Sequence, residues 1–338
     1  MGDRGLTNED RDRYLHLVGA ARVDEAVELC LDLLDAGVSP QDITLRILRP
    51  VQCEVGRRWA LGRWSVAQEH AATAVTDAAL AALGTAAPGR PRGEPVLVAC
   101  PEGEWHCLAS RMVAQLLRWR GVAADHVGTV ASAAALDHLL DDRRPRALAL
   151  SCSTMAALPG VARAVENAAR WGMPLLAGGS GFGAHGRYAR AVGIMAWDHH
   201  VTDAVRRLAR WEAAGAPRPG PPPPETIAYR HLLRRRPGLV EEIAERLRAG
   251  RDDMDRGPGA EIAHDSADQV TSLALAAART CHTDILGDGL AAIMAALVGQ
   301  ADPAPAVAAR LPEATRAALG HGVLEPHGAG SAARASRR

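Results

Sequence analysis

The sequence predicts a chain of class α/β plus α: a four-helix bundle, then a flavodoxin-like doubly wound parallel sheet, then a C-terminal helical domain. Three observations predict it. Helical periodicity with capping signals fills residues 7–84, short apolar runs alternate with helical ones over residues 95–213, and helical pattern returns over 226–320 after a proline run. The domains are therefore placed at 1–84, 95–213 and 226–320. A tail, 321–338, is rich in Gly, Ala, Ser and Arg, which predicts disorder.

In the bundle, Thr7 or Asn8 can cap the first helix, and the second runs from about Arg22 to Ala36, before Gly37. Ser39-Pro-Gln-Asp42 opens the third, with Ser as cap, Pro at the first helical position and a carboxylate three residues on. Ser65-Val-Ala-Gln68 opens the fourth in the same manner, and alanine-rich helix continues to about Leu83. Residues 85–94 read as a linker. Strands are expected at Val96–Cys100, Ala123–Val127, Ala147–Ser151, Pro174–Ala177 and Gly193–Ala196, with helices between them. Such a sheet carries its ligand crevice above the first and third strands. Residues 214–225 include a Pro-Gly-Pro-Pro-Pro-Pro run and read as a stiff spacer. Beyond it the helical pattern is clearest at Leu239–Arg248, Ser266–Thr280 and Asp288–Leu297.

Composition narrows the function. Apolar content is 48% over 338 residues and the formal net charge is zero, which argues against non-specific nucleic-acid binding. Every one of the 39 basic residues is arginine, so Schiff-base chemistry on a lysine is excluded. Six scattered cysteines without a CxxC pair, a charged N-terminus and no apolar run of membrane-spanning length predict a reduced cytoplasmic setting and no membrane.

Three polar elements should meet at one edge of the sheet. Glu104-Trp-His106 follows the first strand, Ser151-Cys-Ser153 ends the third, and Gly178-Gly179-Ser180-Gly181 ends the fourth. A histidine there can turn one ring nitrogen to a metal while a carboxylate two residues back holds the other. Missing side chains at the glycines allow close approach of a ligand to the backbone. This pattern resembles the cobalamin-binding domain, whose acidic-x-His-x-x-Gly loop supplies the lower cobalt ligand. The resemblance implies His106 as axial ligand and the metal's protein contact, Glu104 as its orienting partner, and Ser151 or Ser153 as the hydroxyl along the buried nucleotide tail. Gly178 and Gly179 would line the tail channel. Two positions depart from the pattern: the acid is Glu instead of Asp, and Ala109 stands where the final Gly is usual.

Upstream, Trp59 precedes Glu69-His70 in the run Val55-Gly-Arg-Arg-Trp-Ala-Leu-Gly-Arg-Trp-Ser-Val-Ala-Gln-Glu-His70. With the second domain it resembles the light-sensing cobalamin photoreceptors of the CarH type. There the bundle caps the upper face of the corrin, the Trp packs on the upper ligand and the Glu-His pair lines the same pocket. The resemblance covers about residues 7–212. It implies a sensor binding alkyl-cobalamin, adenosylcobalamin in first place, and not an enzyme. The DNA-binding photoreceptors carry an N-terminal winged helix-turn-helix domain, whereas this chain begins directly with the bundle, so direct DNA binding is not expected. A homo-oligomer or a protein effector is. Those receptors place a His beside the capping Trp; here Ala60 takes that place, leaving His70 as the nearest imidazole. The added C-terminal domain, with His231, His264, His282, the Arg234–Arg236 run and a Cys281-His282 dipeptide of the kind found at bilin attachment sites, resembles the photocobilins. That likeness, one of architecture, implies a second chromophore, biliverdin or another bilin. The alternatives from other classes are a corrinoid methyl carrier for a methyltransferase, a passive cobalamin-binding protein and, for the last domain, an interaction bundle.

Overall fold

In the computed structural model, which describes residues 5–217, 224–251, 254 and 256–320, the bundle begins with α1 (Asn8–Gly19) and α2 (Val23–Asp35). Thr7 and Asp10 cap α1 reciprocally. The third helix is not uniform. It enters as α3 (Pro40–Ile43), passes through a π-helical turn at Thr44–Leu48 and continues as α4 (Arg49–Ala60). Pro50 causes this: it has no N–H for the carbonyl of Arg46, so the hydrogen-bond ladder slips by a residue, and the Arg49 N–H donates to Thr44. Helix α5 (Val66–Ala86) closes the bundle, capped by Ser65 with Gln68. The core joins Tyr14, Leu33, Ile43, Ile47, Leu80 and Leu83, each essentially inaccessible.

Strands β1 (Arg92–Cys100), β2 (Val122–Thr129), β3 (Ala147–Ser151), β4 (Leu175–Gly178) and β5 (Ala196–Trp197) form one parallel sheet in the order β2-β1-β3-β4-β5. This is the expected doubly wound order, with its reversal between β1 and β3. Alternation along β1 sorts two cores. Val96 and Val98 face α6 (Cys107–Trp119) and α9 (Val201–Ala214), while Leu97 and Ala99 face α7 (Ala133–Arg143) and α8 (Leu158–Arg170). Leu108 and Met112 of α6 also enter the bundle core, which seats the bundle on the sheet domain.

Among its described residues the C-terminal domain has four α-helices, α10 (Ile227–Arg248), α11 (Pro258–Thr280), α12 (Asp284–Val298) and α13 (Ala304–Leu319). Its core is continuous with that of α7 and α8. At its far end Gly299 lies directly against the turn after α4, at Gly62, where no room is left for a Cβ. Both the sheet domain and the bundle therefore touch the C-terminal helices.

Several boundaries differ from the sequence reading. The linker is shorter than residues 85–94, because α5 runs to Ala86 and β1 starts at Arg92 with a register shift before Val96. The fifth strand starts later, since Arg190–Val192 form a 3-10 turn that Gly193 caps. In the last domain α10 and α11 begin well before Leu239 and Ser266, and α13 lies within 226–320 beyond the three clearest stretches; Pro237 inside α10 and Pro312 inside α13 obscure the period. The spacer residues 218–223 and the tail 321–338 lie outside the described residues. No described helix is long and apolar enough to cross a membrane.

Candidate functional site

His106 caps the N-terminus of α6 at the carboxyl end of β1. Glu104, fully buried, holds it. One carboxylate oxygen, Oε1, lies 2.6 Å from Nδ1 of His106 and accepts its backbone N–H at 2.9 Å. The other, Oε2, accepts the backbone N–H groups of Ser153 at 2.6 Å and Thr154 at 2.9 Å, and lies 3.4 Å from the Thr154 hydroxyl. Burial alone would favour the protonated acid, but the hydrogen bonds from His106 and Ser153 prevail and hold its pKa below the usual range. A carboxylate on Nδ1 fixes the tautomer with its proton there and leaves Nε2 as a free lone pair. The His106 side chain is 65% exposed, so that nitrogen faces open space.

Glu104 raises the proton affinity of His106, against the effect of burial, and Glu69 adds to it. The α5 carboxylate of the bundle thus acts electrostatically on the histidine of the sheet domain. Glu69 is itself held: Gln52 Nε2 donates to Thr73 Oγ1 at 2.6 Å, and that hydroxyl donates to Glu69 Oε1 at 2.8 Å. Gln52 and Thr73 escaped the sequence reading, although each lies at helical spacing from a residue that was named, Gln52 seven before Trp59 and Thr73 four after Glu69.

A cavity of about 570 Å³ lies between bundle and sheet. Ser151, Ser153, Gly178 and Gly179 line it, as do Leu108 and Ala109, two and three residues after His106, whereas His106, Trp59, Glu69 and His70 are not among its lining residues. The bundle contributes Arg49 and Gln52, and the β5 edge contributes His199 and His200. The Gln52 Oε1 atom is buried and has no hydrogen-bond partner among the described residues, so a donor on a bound ligand would satisfy it. Trp59 is half-buried near the end of α4, and His70 is exposed with Nε2 4.0 Å from Glu69.

The donor set has a simple reading. Among the described residues no cluster of three or more His, Cys, Asp or Glu side chains could hold a free metal ion. One oriented imidazole with a free nitrogen suits instead a metal that arrives in its own chelating ring. Thiol ligation is disfavoured here: burial pushes Cys100 up to about 12 and Cys152 well above its ordinary value. Cobalamin, with a ring-held cobalt and a nucleotide tail, fits this histidine and this adjoining slot.

The candidate groups of the C-terminal domain are spread over α10, α11 and the turn that follows. Arg235 pairs with Glu242 at 3.7 Å and Arg236 with Asp268 at 2.8 Å; His264 lies 3.6 Å from Glu241 and His282 3.8 Å from Asp284. Arg234 and His231 are exposed, as is the free thiol of Cys281.

Comparisons with known proteins bear on the domains and their cofactor class. Residues 10–83 match a family model described as a B12 binding domain, and residues 94–209 match a second with the same description. The HTH-type transcriptional repressor CarH of Myxococcus xanthus is 36% identical over 122 residues, which is 36% of this chain and 40% of that protein. The match thus spans well under two thirds of that relative's length. The monomethylamine corrinoid protein of Methanosarcina barkeri superposes with a TM-score of 0.52 at 16% identity, over 61% of this chain and 99% of that one, a likeness of fold.

Proposed function

We propose that this chain, which carries B12 binding domains over residues 10–83 and 94–209, is a light sensor that binds an alkyl-cobalamin, adenosylcobalamin first among them. His106 is its lower ligand. Bound alkyl-cobalamin would supply the light absorption and a photolabile Co–C bond. The residues of the chain orient it, enclose it and respond to its change.

The observation that carries this reading is the placement of the cap. Arg49 and Gln52 of α4 line one cavity with Ser151 and Gly179 of the sheet domain, and Glu69, braced by Thr73 and Gln52, acts electrostatically on the same histidine that Glu104 holds through Nδ1. A methyl carrier must present its upper face to a partner enzyme, whereas here the bundle closes that cavity and Gly299 abuts the turn between α4 and α5. The Trp59, Glu69, His70 motif is the one that the CarH-type photoreceptors share. Loss of the upper ligand beneath Trp59 would let the cap move against the sheet domain, a two-state change driven by a local packing event. With Ala60 next to Trp59, His70 is the nearest imidazole of the motif for the vacated side. The chain acts on this reading as a sensor, not a catalyst, and its signal passes to a protein partner or a second copy.

Absorption spectra of the purified protein in the dark and after illumination test the reading against the methyl carrier, whose fold is equally compatible. A stable alkyl-cobalamin spectrum that converts under light, with a change in hydrodynamic size, is the expected result. A spectrum without any conformational response would leave a carrier or a passive binder. Trp59→Ala should retain cobalamin and lose the change in size, because the side chain packs on the upper ligand without holding the ring. A full light response in that variant would rule out the cap mechanism.

The reading includes a second chromophore, a bilin, on the C-terminal domain. Its support is the architecture, a helical domain joined to the sensor and carrying cations and histidines. Expression with biliverdin of the full chain and of a chain ending near Ala216 should give a red-absorbing band in the full chain alone. No band, or an equal band in both, makes the domain an interaction module.

A further inference from the structure

We infer that the C-terminal domain positions the lower-ligand loop, through a polar chain that runs from Tyr229 to Arg163 to Glu102; this rests on His106 being the ligand, as proposed above. The chain begins in α10. Thr226 caps that helix by accepting the Tyr229 N–H at 2.9 Å, and the Tyr229 ring is buried in the core that α10 and α11 share with α8. Its hydroxyl lies 3.1 Å from Nη1 of Arg163, which donates to it. The Nε of the same guanidinium donates to Glu102 Oε2 at 3.0 Å. Glu102 stands two residues before Glu104 in the loop that carries His106.

The loop has little freedom at this point. A Cβ added to Gly160 of α8 would fall 2.1 Å from the Glu102 carbonyl oxygen, so the loop backbone rests on the first turn of α8. A second route reaches the same pair from the other side. Ser153 and Thr154, whose N–H groups bind Glu104, lead directly into a 3-10 turn at Met155–Ala157, and that turn packs on α11 and α12. Both anchors of Glu104 are therefore backed by C-terminal helices.

The interface also contains an internal control. Arg279 of α11, 1% exposed, pairs with Glu166 of α8 and lies 5.5 Å from the Tyr229 ring centroid, over the ring. It fastens the same two domains together without touching Glu102. Docking and positioning can thus be separated by residue. Because coupling between two sites is reciprocal at the level of binding, a change in the ligation of His106 would bias the C-terminal helices, and the reverse. This gives the domain a place in the signal with or without a second chromophore.

The test uses the full chain as wild type and as Tyr229→Phe, Arg163→Met and Arg279→Met. Tyr229→Phe is the principal variant, since it deletes one hydroxyl and keeps the ring beneath Arg279. Each protein is titrated with adenosylcobalamin by absorption. Each is also loaded with cob(II)alamin, and the splitting of the cobalt resonance by an axial imidazole nitrogen is read by electron paramagnetic resonance. Tyr229→Phe and Arg163→Met should lower the His-ligated fraction and weaken binding about 10-fold, the small end of the range for groups that orient a metal ligand. Arg279→Met should keep the wild-type resonance while lowering the melting temperature. A wild-type resonance in both Tyr229→Phe and Arg163→Met overturns the inference. So does an equal perturbation in all three variants, which would report domain docking alone. If the wild type takes up no cobalamin, the functional proposal falls first and this inference with it.

Discussion

His106→Ala is expected to abolish the His-ligated cobalamin spectrum and to leave the fold intact. The side chain is 65% exposed, so truncation opens no cavity in the core. The loop keeps its other ties, because Glu104 would still accept from the backbone of Ser153, Thr154 and residue 106. Replacing the group that orients a ligand costs about 10–100-fold in metal affinity, so removing the ligand itself should cost more than about 100-fold. Glu104→Gln supplies the intermediate case. Both carboxylate oxygens accept from N–H donors, one set from His106 and one from the β3 loop. An amide has one acceptor and must turn its NH₂ toward one of these sets, which leaves a buried donor facing a donor at a cost of about 1–3 kcal/mol. Cobalt coordination spectra, with urea unfolding on the unliganded proteins, check the pair. Unchanged coordination in His106→Ala would exclude it as the ligand.

The sequence revealed those parts of this site that depend on local chemistry. Short apolar runs such as Val96–Cys100, alternating with helical ones, and the turn residues at their ends predict the sheet and its binding edge, and Thr7, Ser39 and Ser65 cap their helices as their motifs indicate. The pairing of Glu104 with His106 follows from a spacing of two. What holds Glu104 does not, because its partners are backbone groups about fifty positions away. Ser153 was singled out for its hydroxyl, and it does line the cavity, yet its N–H is what binds the carboxylate. The departure from Asp to Glu also gains a physical sense: the same carboxylate spans His106 and the β3 loop. The interdomain chain through Arg163 was illegible for a similar reason. Its links join residues 61 positions apart within the sheet domain and 66 apart across to the C-terminal domain, and no periodicity reports such a meeting. The Arg234–Arg236 run is a local cluster whose partners are not local in the same way: Arg235 pairs with Glu242 and Arg236 with Asp268 of the next helix.

Gly179→Ala is expected to destabilise the protein by more than a surface substitution could and to distort the cavity that Gly179 lines. Gly179 sits at φ 113° and ψ 167°, a region in essence reserved for glycine, where another residue costs about 1–3 kcal/mol. Strain is only part of the effect. The new Cβ would lie 2.1 Å from the carbonyl oxygen of Cys152, a backbone atom that cannot rotate away. That carbonyl accepts the Gly181 N–H at 3.0 Å, and the Cys152 N–H donates to the Gly178 carbonyl at 3.0 Å. Relieving the clash must therefore part the ends of β3 and β4, at about 1 kcal/mol for each hydrogen bond lost. The sum is about 3–5 kcal/mol, a large share of the roughly 5–15 kcal/mol that keeps a domain folded. Gly172→Ala isolates the conformational part: its φ is +61° but a Cβ there meets nothing within 4 Å. Urea unfolding should place Gly172→Ala near about 1 kcal/mol of loss and Gly179→Ala well beyond it, with cobalamin affinity falling only in the latter. Equal losses in the two variants would mean that the β3–β4 edge yields to the methyl group, and that the channel wall is softer than its backbone contacts imply.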